Sequence, residues 1–392
     1  MGTFFVYNNK YAGKCYWTEK RSRVTGVFAY DEDYLSGSEN WNIDPCLTLT
    51  SGGQSSKHGL PDAFRDAAPD RWGQNLIRHR HLREAREDGS PRRTLNEIDY
   101  LFGVNDITRQ GDLRFSFEQD GVFQHPSTEI PKLVALPKLL DAAHRYASDQ
   151  DESAIIYLLD AGSASLGGAR PKAAVTDGED LFIAKFPHRQ DDWDVIAWEW
   201  ISLNIAAEAG IRVPENKLVD IDGQNVLLVK RFDREPGKRI AYISVMTLLG
   251  LTDGEQADYS EIAESLSGVS VFAKKDLQEL YRRILLSLFL NNTDDHLRNH
   301  GLLQCGSGWV LSPVFDINPN PDIAATRGTS IFGVIEKNAA IEALADNANA
   351  FDLTAKEAVN IRNEVSSAVR SREKYAKRAG IKKAELEFML RI

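Results

Sequence analysis

The sequence has 392 residues and a formal net charge of −10, with 42% hydrophobic and 27% charged residues. This composition is that of a globular chain with room for two or three domains, and it excludes wholesale disorder. No apolar run reaches the roughly 18 residues of a membrane span. The acidic balance argues against nucleic-acid binding by the chain's own surface.

Cysteine usage and the first residues bear on the compartment. Cys15, Cys46 and Cys305 are few, odd in number and widely spaced, which argues against a disulfide framework and a cysteine metal site. Residues 1–6 include no basic stretch and no cleavage site of a secretory signal. We therefore expect a cytoplasmic protein without membrane association.

The first hundred residues predict one module of strands and helices. Apolar segments on both sides of Asn8-Asn9-Lys10 predict a β-hairpin, and residues 24–30 predict a further strand. Helices are expected after Gly59-Leu60-Pro61-Asp62 and from Pro69-Asp70-Arg71-Trp72 toward Arg86, because such residues cap helix N-termini. A short amphipathic helix (residues 95–103) and an alternating strand (113–117) follow.

Turn-forming and polar residues dominate the next stretch. Residues 118–132 predict a linker, and residues 133–148 predict a helix. A glycine-rich segment, residues 162–172, then leads into the strand Ala173-Ala174-Val175. Its small residues, among them Ser165-Leu166-Gly167-Gly168, would let backbone N–H groups approach phosphate oxygens. It matches neither the Walker A loop nor the protein-kinase glycine loop, so a plain glycine–serine loop is the alternative.

Lys185 lies on the next predicted strand, residues 181–187. A lysine on the strand after a glycine loop is where kinases place the cation that contacts the nucleotide phosphates. A solvent-facing lysine on an edge strand is the alternative. Glu199, on the helix predicted for residues 193–209, is the natural ion-pair partner of Lys185.

A candidate hinge follows the strand predicted for residues 225–229. In a two-lobed kinase the last strand of the small lobe leads into a hinge whose backbone groups bind adenine, and Lys230-Arg231-Phe232 occupies that place. The apolar positions between residues 277 and 288 keep helical spacing and predict a buried helix that leads to Thr293. The tail, residues 355–390, is predicted to be helical.

The most informative segment contains Asp294 and, five residues later, Asn299, with Asp316 after a later apolar run. In kinase-type sites an aspartate orients the acceptor hydroxyl, and an asparagine and a second aspartate bind the magnesium ions on the nucleotide phosphates. An Asp-x4-Asn pair alone occurs by chance about once or twice in a chain this long. The pair and the later aspartate together predict a phosphoryl-transfer site.

Three motifs together carry a resemblance to a known family. They are Ser165 to Lys172, Val229-Lys230-Arg231-Phe232-Asp233-Arg234, and Thr293-Asp294-Asp295-His296-Leu297-Arg298-Asn299. With the N-terminal motifs at Gly59-Leu60-Pro61 and Pro69-Asp70-Arg71-Trp72, they resemble the HipA toxin family of Ser/Thr protein kinases over nearly the whole chain.

The resemblance implies an α+β fold that is two-lobed and protein-kinase-like, with an additional N-terminal α/β subdomain. The expected boundaries are residues 1–118 for that subdomain, 119–150 for a linker and connecting helix, 151–232 for the small lobe and 233–392 for the helical large lobe. It also implies ATP and Mg²⁺ as cofactors. The implied partners are a HipB-like DNA-binding antitoxin, operator DNA through that antitoxin, and a protein substrate, such as an aminoacyl-tRNA synthetase of translation.

The resemblance also implies roles for individual residues. Asp294 would be the catalytic base, with Asn299 and Asp316 as metal ligands. Lys185 would bind phosphate, and Ser165, or in its place Ser163, would be autophosphorylated. The ATP-binding set would be Ser165, Leu166, Gly167, Gly168, Lys185, Lys230, Arg231 and Phe232, and the supporting residues would be Glu199 and His296, the latter bracing its loop through hydrogen bonds.

The sequence departs from the family pattern at several positions. Asp295 stands where a glycine is common, which adds a charge beside the expected metal site. Lys230 occupies a hinge position often held by an acidic residue, and the segment between Ser165 and Lys185 is shorter than in the best-known members. These departures bear on efficiency and regulation more than on the fold.

Two other functional classes remain open beside the protein kinase. One is a kinase of a small molecule or lipid, because the same aspartate–asparagine arrangement serves such acceptors. The other is a catalytically weak corepressor that binds an antitoxin. The basic residues Arg78, Arg80 and Arg83 are interpreted as a solvated helix face, with a contribution to DNA contact as the alternative.

Overall fold

The computed structural model describes residues 1–21, 23–38, 40–123, 130–149, 151–165 and 170–391. The chain divides into two compact units. Unit 1 combines Met1–Gln190 with Val219–Ile243, and unit 2 combines Asp191–Leu218 with Ser244–Ile392.

The first part of unit 1 is an antiparallel sheet with short helices. Its elements are β1 (Gly2–Asn8), β2 (Tyr11–Lys20), β3 (Arg23–Tyr30), α1 (Glu32–Ser36), β4 (Gly53–Ser55), α2 (Asp62–Asp66), α3 (Arg71–Glu87), α4 (Glu97–Gly103) and β5 (Leu113–Ser116). The strand order is β4-β3-β2-β1-β5. Asn9 adopts a left-handed φ of 68° between β1 and β2, so the predicted hairpin is confirmed. Alternate side chains such as Phe4, Phe28 and Phe115 face the core.

Local capping explains where the N-terminal helices begin. The side chain of Asp70 accepts a hydrogen bond from the N–H of Gly73 at 3.0 Å and so caps α3. Asn96 and Asp99 form a reciprocal capping box at α4. Both helices begin close to where the sequence predicts them.

The remainder of unit 1 adds a second sheet. The elements of this remainder are a 3₁₀ turn (Leu133–Ala135), α5 (Leu136–Asp149), α6 (Glu152–Asp160), a 3₁₀ turn (Ser163–Ser165), β6 (Lys172–Asp177), β7 (Asp180–Lys185), β8 (Asn216–Ile221, in this unit from Val219), β9 (Gln224–Lys230), β10 (Arg234–Glu235), β11 (Lys238–Arg239) and β12 (Tyr242–Ser244, in this unit to Ile243). The sheet order is β6-β7-β9-β8. The helix predicted for residues 133–148 corresponds to α5 with its preceding 3₁₀ turn.

One apolar core runs through both parts of unit 1. Trp72 and Leu76 of α3 share a buried cluster with Leu158 of α6 and with Ala173 and Phe182 of the second sheet. Because this core is continuous, the N-terminal module and the second sheet form one compact unit. The predicted boundary at residue 118 therefore marks a subdomain within unit 1.

Unit 2 is mainly helical. Its elements are α7 (Val195–Glu208), α8 (Val245–Leu248), α9 (Tyr259–Val269), α10 (Ala273–Phe289), a 3₁₀ turn (Leu297–Asn299), β13 (Gly301–Cys305), β14 (Gly308–Leu311), α11 (Lys337–Asp346), a 3₁₀ turn (Ala348–Phe351), α12 (Ala355–Val369), α13 (Arg372–Arg378) and α14 (Lys383–Met389). Among the described residues, no helix combines the length and apolar character needed to cross a membrane.

The helix α7 shows why the units divide differently from the predicted boundary at residue 232. Its side chains are apolar on nearly every face, and most of them are buried. It packs against α12 and α13, and the indole N–H of Trp198 donates to the carboxylate of Glu385 at 2.8 Å. Because α7 has almost no polar face, it is buried by neighbouring helices. Those neighbours, α12 and α13, belong to unit 2, and α7 is therefore part of unit 2.

Candidate active site

The loop after α10 carries the predicted acidic motif. Asn291 adopts a left-handed φ of 50°, which turns the chain out of the helix. Its side-chain amide donates to the carbonyl oxygens of Asn320 at 2.7 Å and Asp322 at 3.1 Å. Asn320 in turn donates to the hydroxyl of Thr293 at 2.8 Å. The start of the loop is thereby fixed to the segment that follows Asp316.

Asn299 closes this loop back onto Asp294. The side-chain nitrogen Nδ2 of Asn299 donates to the backbone carbonyl of Asp294 at 2.8 Å, and its backbone N–H donates to the carbonyl of His296 at 2.8 Å. Asn299 is buried. With Nδ2 engaged by the loop, the carbonyl oxygen Oδ1 is the atom of this side chain that suits a hard metal ion.

Asp316 returns to the same loop. The hairpin of β13 and β14 reverses the chain, and Asp316 adopts a left-handed φ of 60°, an uncommon conformation that aspartate tolerates better than most residues. Asp294 is exposed in unit 2. Desolvation by the surrounding protein raises the pKa of Asp294, His296 lowers it, and the negative charges of Asp316 and Asp295 raise it further. The two predicted site carboxylates therefore lie close enough to interact.

The chemistry of this set suits magnesium with a phosphate ligand. Among the described residues, no group of three or more His, Cys, Asp or Glu side chains could by itself hold a metal ion. Asp294, Asn299 and Asp316 offer two carboxylates and an amide oxygen. Mg²⁺ usually binds one or two protein carboxylates and completes its octahedron with substrate phosphates and water. The residues present therefore fit a metal–nucleotide complex better than a bare ion.

A buried polar cluster supports the loop from beneath. We call Tyr259, Ser287, Asp295, His300 and Arg327 the Asp295 network. The hydroxyls of Tyr259 and Ser287 donate to Asp295 Oδ2 at 2.5 and 2.7 Å, and His300 Nε2 lies 2.9 Å from Oδ1. A guanidinium nitrogen of Arg327 lies 3.8 Å from Oδ2.

The Asp295 network lowers the pKa of Asp295. Burial alone would raise the pKa of Asp295, but the interactions with His300, Tyr259 and Arg327 lower it below its ordinary value. The carboxylate is therefore charged and fully engaged inside unit 2. The expected extra charge beside the metal site is present, yet it points into the protein and acts on Asp294 only through space. Tyr259 and Arg327 could not be found from the sequence, because they lie more than 30 positions from Asp295. Ser287 and His300 lie within eight positions of Asp295, but no spacing motif links them to it.

A cavity of about 20 Å³ lies under the loop and is lined in part by Asp295, Asn299, His300 and Asp316. Such a volume has room for about one water molecule. Nucleotide pockets are far larger, about 300–1,000 Å³. The cavity therefore belongs to the packing of the loop.

The supporting residues differ from their predicted settings. His296 is exposed, and within the described part of the chain its side chain makes no hydrogen bond to the loop. It acts on the loop electrostatically, by lowering the pKa of Asp294. Glu199 is buried in α7, although a helical glutamate is commonly exposed. Lys185 lies at the end of β7, opposite Leu227 of β9. Lys185 and Glu199 belong to different units, and their pairing stays a prediction.

The candidate hinge residues are strongly engaged within unit 1. Lys230 Nζ lies 2.6 Å from Asp180 Oδ2 on the neighbouring strand. The Arg231 guanidinium is buried and donates to Asp233, at 2.5 and 2.7 Å, and to the carbonyl of Thr108 at 3.0 Å. Its backbone N–H donates to the carbonyl of Leu181 at 2.8 Å. Because its side chain and its N–H are both occupied, Arg231 can offer a nucleotide only its carbonyl, and the predicted ATP contact is corrected to that extent. Phe232 is partly buried.

The predicted phosphate loop is described only in part. Ser165 ends the 3₁₀ turn Ser163–Ser165, and its side chain lies outside the described residues, as do Leu166, Gly167 and Gly168. Ser163 is fully buried, so Ser165 is the better candidate for modification.

Comparisons with known proteins identify a family model and several relatives. The family model described as the HipA-like C-terminal domain matches residues 164–373. A Sinorhizobium fredii protein named "Putative kinase Y4dM" is 29% identical over 167 residues, 38% of this chain and 40% of that protein. A Haemophilus influenzae protein named "Putative kinase" is 27% identical over 144 residues, 32% of this chain and 42% of that protein. The matched regions thus span about two fifths of the length of these curated relatives.

A solved structure shares the whole fold. The structure of the Shewanella oneidensis MR-1 toxin–antitoxin system HipA, HipB and its operator DNA complex contains a chain with a TM-score of 0.71 and 15% identity. The match covers 99% of this chain and 94% of that chain. At this identity the likeness establishes the fold alone, and the predicted α+β fold is confirmed.

Proposed function

Because the chain belongs to the HipA family through its C-terminal domain, residues 164–373, we propose that it is an ATP-dependent protein kinase that phosphorylates serine or threonine. One observation carries the proposal. A short loop is closed by the hydrogen bond from Asn299 to the backbone carbonyl of Asp294, and Asp316 interacts electrostatically with Asp294. These three side chains are of the types that phosphoryl transfer uses, which supports the proposal.

Each side chain of this set has a distinct role. Asp294 accepts or orients the proton of the acceptor hydroxyl, since it is the exposed carboxylate of the set. Asn299 Oδ1 and the Asp316 carboxylate would hold Mg²⁺, which would supply positive charge to the transferred phosphoryl group. The Asp295 network fixes the loop, so that Asp294 keeps its orientation during the reaction.

The nucleotide contacts come from unit 1. The glycine-rich segment with Ser165, Leu166, Gly167 and Gly168 binds the phosphates through backbone N–H groups. Lys185 binds phosphate by its charge. The adenine contacts fall on backbone groups of Lys230 to Phe232 that are not used by the sheet. The names of the two curated relatives support kinase activity for this chain as well.

We also propose that the protein is the toxin of a toxin–antitoxin pair in the cytoplasm. The Shewanella oneidensis structure is a complex of HipA with HipB and operator DNA, and a HipB-like antitoxin is accordingly the expected partner here. The substrate is a protein, and a component of translation such as an aminoacyl-tRNA synthetase is the first candidate.

Autophosphorylation of Ser165 is the first test. Phosphate adds a charge of about −1.5 to −2 at neutral pH, and this charge would repel the phosphates of the nucleotide. We expect mass spectrometry after incubation with Mg²⁺ and ATP to find phosphate on Ser165, together with weaker ATP binding by the modified protein. The Asp294→Asn variant should stay unmodified. An unmodified wild-type Ser165 after long incubation would contradict this expectation.

Binding of operator DNA is a second test. Two arginines of α3 pair with glutamates within unit 1, since Arg83 lies 2.7 Å from Glu87 and Arg86 lies 2.7 Å from Glu152. With a net charge of −10, the chain alone should not shift operator DNA at physiological salt. It should further retard the complex of antitoxin and DNA, with antitoxin alone as the control. Tight, sequence-specific binding by this chain alone would show that the DNA contacts had been assigned to the wrong partner.

A further inference from the structure

Helix α3 begins directly against the first residues of the glycine-rich segment. A Cβ atom built on Gly73, the third residue of α3, would overlap the carbonyl oxygen of Ala164 and lie 2.9 Å from its carbonyl carbon. Real Cβ atoms essentially never approach backbone atoms this closely. Gly73 does not have the positive φ that favours glycine. Glycine is required here because a side chain would collide with the backbone of Ala164. The backbone of Ala164 rests on the backbone of the helix.

The cap of α3 also contacts the far end of the same segment. Asp70 uses Oδ1 to cap the helix at Gly73, and its Oδ2 lies 3.9 Å from the Nζ of Lys172. Lys172 is buried and begins β6, the strand that follows the glycine-rich segment. A buried ammonium group is costly without a nearby negative charge. The turn that begins α3 therefore also neutralises the residue at which the segment ends.

The near end of the segment is enclosed by the N-terminal module as well. Gly162 has a φ of 67°, and a Cβ on it would lie 2.6 Å from the side chain of Thr108, which is fully buried. Trp72 of α3 shares the core of unit 1 with Ala164 and Ala173. Described residues on both sides of the segment are thus fixed by residues from the first 118 positions.

We propose that this α3 contact, formed by Asp70, Gly73, Ala164 and Lys172, holds the two described ends of the glycine-rich segment, at Ala164 and Lys172, and thereby sets the nucleotide affinity. The proposal gives a role to the Pro69-Asp70-Arg71-Trp72 motif, which has no part in the proposed phosphoryl transfer. It rests on the proposed function, because that function makes the segment a phosphate loop. A phosphate loop works through backbone N–H groups, so a displacement of about 1 Å costs up to roughly 100-fold in function. Gly73 and Asp70 are positioning residues, and neither touches the nucleotide.

The test replaces Gly73 in the full-length protein. Gly73→Val should weaken binding of a non-hydrolysable ATP analogue with Mg²⁺ by about 10- to 100-fold, measured by calorimetry on folded protein. Hydrogen exchange of the amides in residues 161–174 should become faster. Gly73→Ala should give a smaller change in the same direction. Asp70→Asn, which can still cap the helix but lacks the charge opposite Lys172, gives a second route to the same loss.

Gly268 supplies a matched control. It lies in α9 with no atom within 4 Å of a built Cβ, so Gly268→Ala should leave both readouts unchanged. A merely structural role for Gly73 would lower the melting temperature and leave the affinity of the folded protein at the wild-type value, and that result would overturn the inference. Wild-type protein that binds no nucleotide would instead count against the proposed function. In that case the hydrogen-exchange rates of the amides in residues 161–174 alone test the positioning role of Gly73. Rates in Gly73→Val equal to those of the wild type would overturn it.

Discussion

Replacing Asp294 by asparagine is expected to lower the rate of phosphoryl transfer by about 10²- to 10⁴-fold and to leave nucleotide affinity nearly unchanged. Asparagine has the same shape but cannot accept the proton of the acceptor hydroxyl. It also removes the carboxylate whose pKa is raised by its surroundings and by the charges of Asp316 and Asp295. Initial rates of Ser165 labelling at saturating ATP measure the first quantity, and calorimetry with a non-hydrolysable analogue measures the second.

Asp316→Asn is the matched comparison for that experiment. Asparagine tolerates the left-handed φ of 60° at this position, so the backbone is preserved while the charge on the metal ligand is lost. This variant should weaken binding of the nucleotide with Mg²⁺ as well as slow the reaction. If both variants transfer phosphate at the wild-type rate, the site lies elsewhere in the chain.

Replacing Asp295 by alanine is expected to destabilise the protein by about 3–5 kcal/mol, the usual cost of removing one partner from a buried charged pair. The change leaves the guanidinium of Arg327 and the hydroxyls of Tyr259 and Ser287 without their shared acceptor. Urea unfolding followed by circular dichroism measures the loss.

Asp253→Ala is the control, because Asp253 is 79% exposed in its ion pair with Arg298, and such pairs contribute at most about 1 kcal/mol. An Asp295→Ala variant as stable as this control would show that the network does not support the loop.

The pH dependence of the stability difference between wild type and Asp295→Ala gives a further check. The folded-state pKa of Asp295 lies below its ordinary value of 3.8, so its stabilisation is present above that value and is lost as the pH falls toward the folded-state pKa. The difference between wild type and variant should shrink in that acidic range.

Features set by near neighbours in the chain were predictable from the sequence. The cap of α3 by Asp70 and the capping box of Asn96 involve residues three apart, and their side chains act on the adjacent backbone. The five-residue spacing of Asp294 and Asn299 likewise defines a local loop. In each of these cases the interacting residues are three to five positions apart. Their spacing in the sequence was therefore enough to predict the contact.

Features set by distant partners were not predictable. The sequence predicts Asp295 as an added charge beside the metal site, and only the fold supplies Tyr259 from α9, Ser287 from α10 and Arg327 from the segment after β14. Arg231 reads as a hinge residue, and only the fold shows its guanidinium bonded to Thr108 in the N-terminal module. Local composition contains no signal for contacts that span 36 or 123 positions.

The division of the chain into compact units depends on distant partners as well. The polar residues from 118 to 132 interrupt the pattern of apolar residues, and this predicted a break between domains. Trp72 and Leu76 nevertheless pack in one core with Ala173 and Phe182, so the interruption does not separate compact units. A linker signal reports the local chain, whereas a compact unit is defined by contacts between segments that are far apart in it.

Transfer of labelled phosphate from ATP tests the central claim most directly. Purified protein would be incubated with γ-labelled ATP, Mg²⁺ and a cell lysate, beside the Asp294→Asn variant and a sample in which the magnesium is chelated. We predict label on serine or threonine of a lysate protein and on Ser165, with none in either comparison sample. Label confined to lipids or small molecules, or no transfer by the wild-type protein at all, would contradict the assignment as a protein kinase.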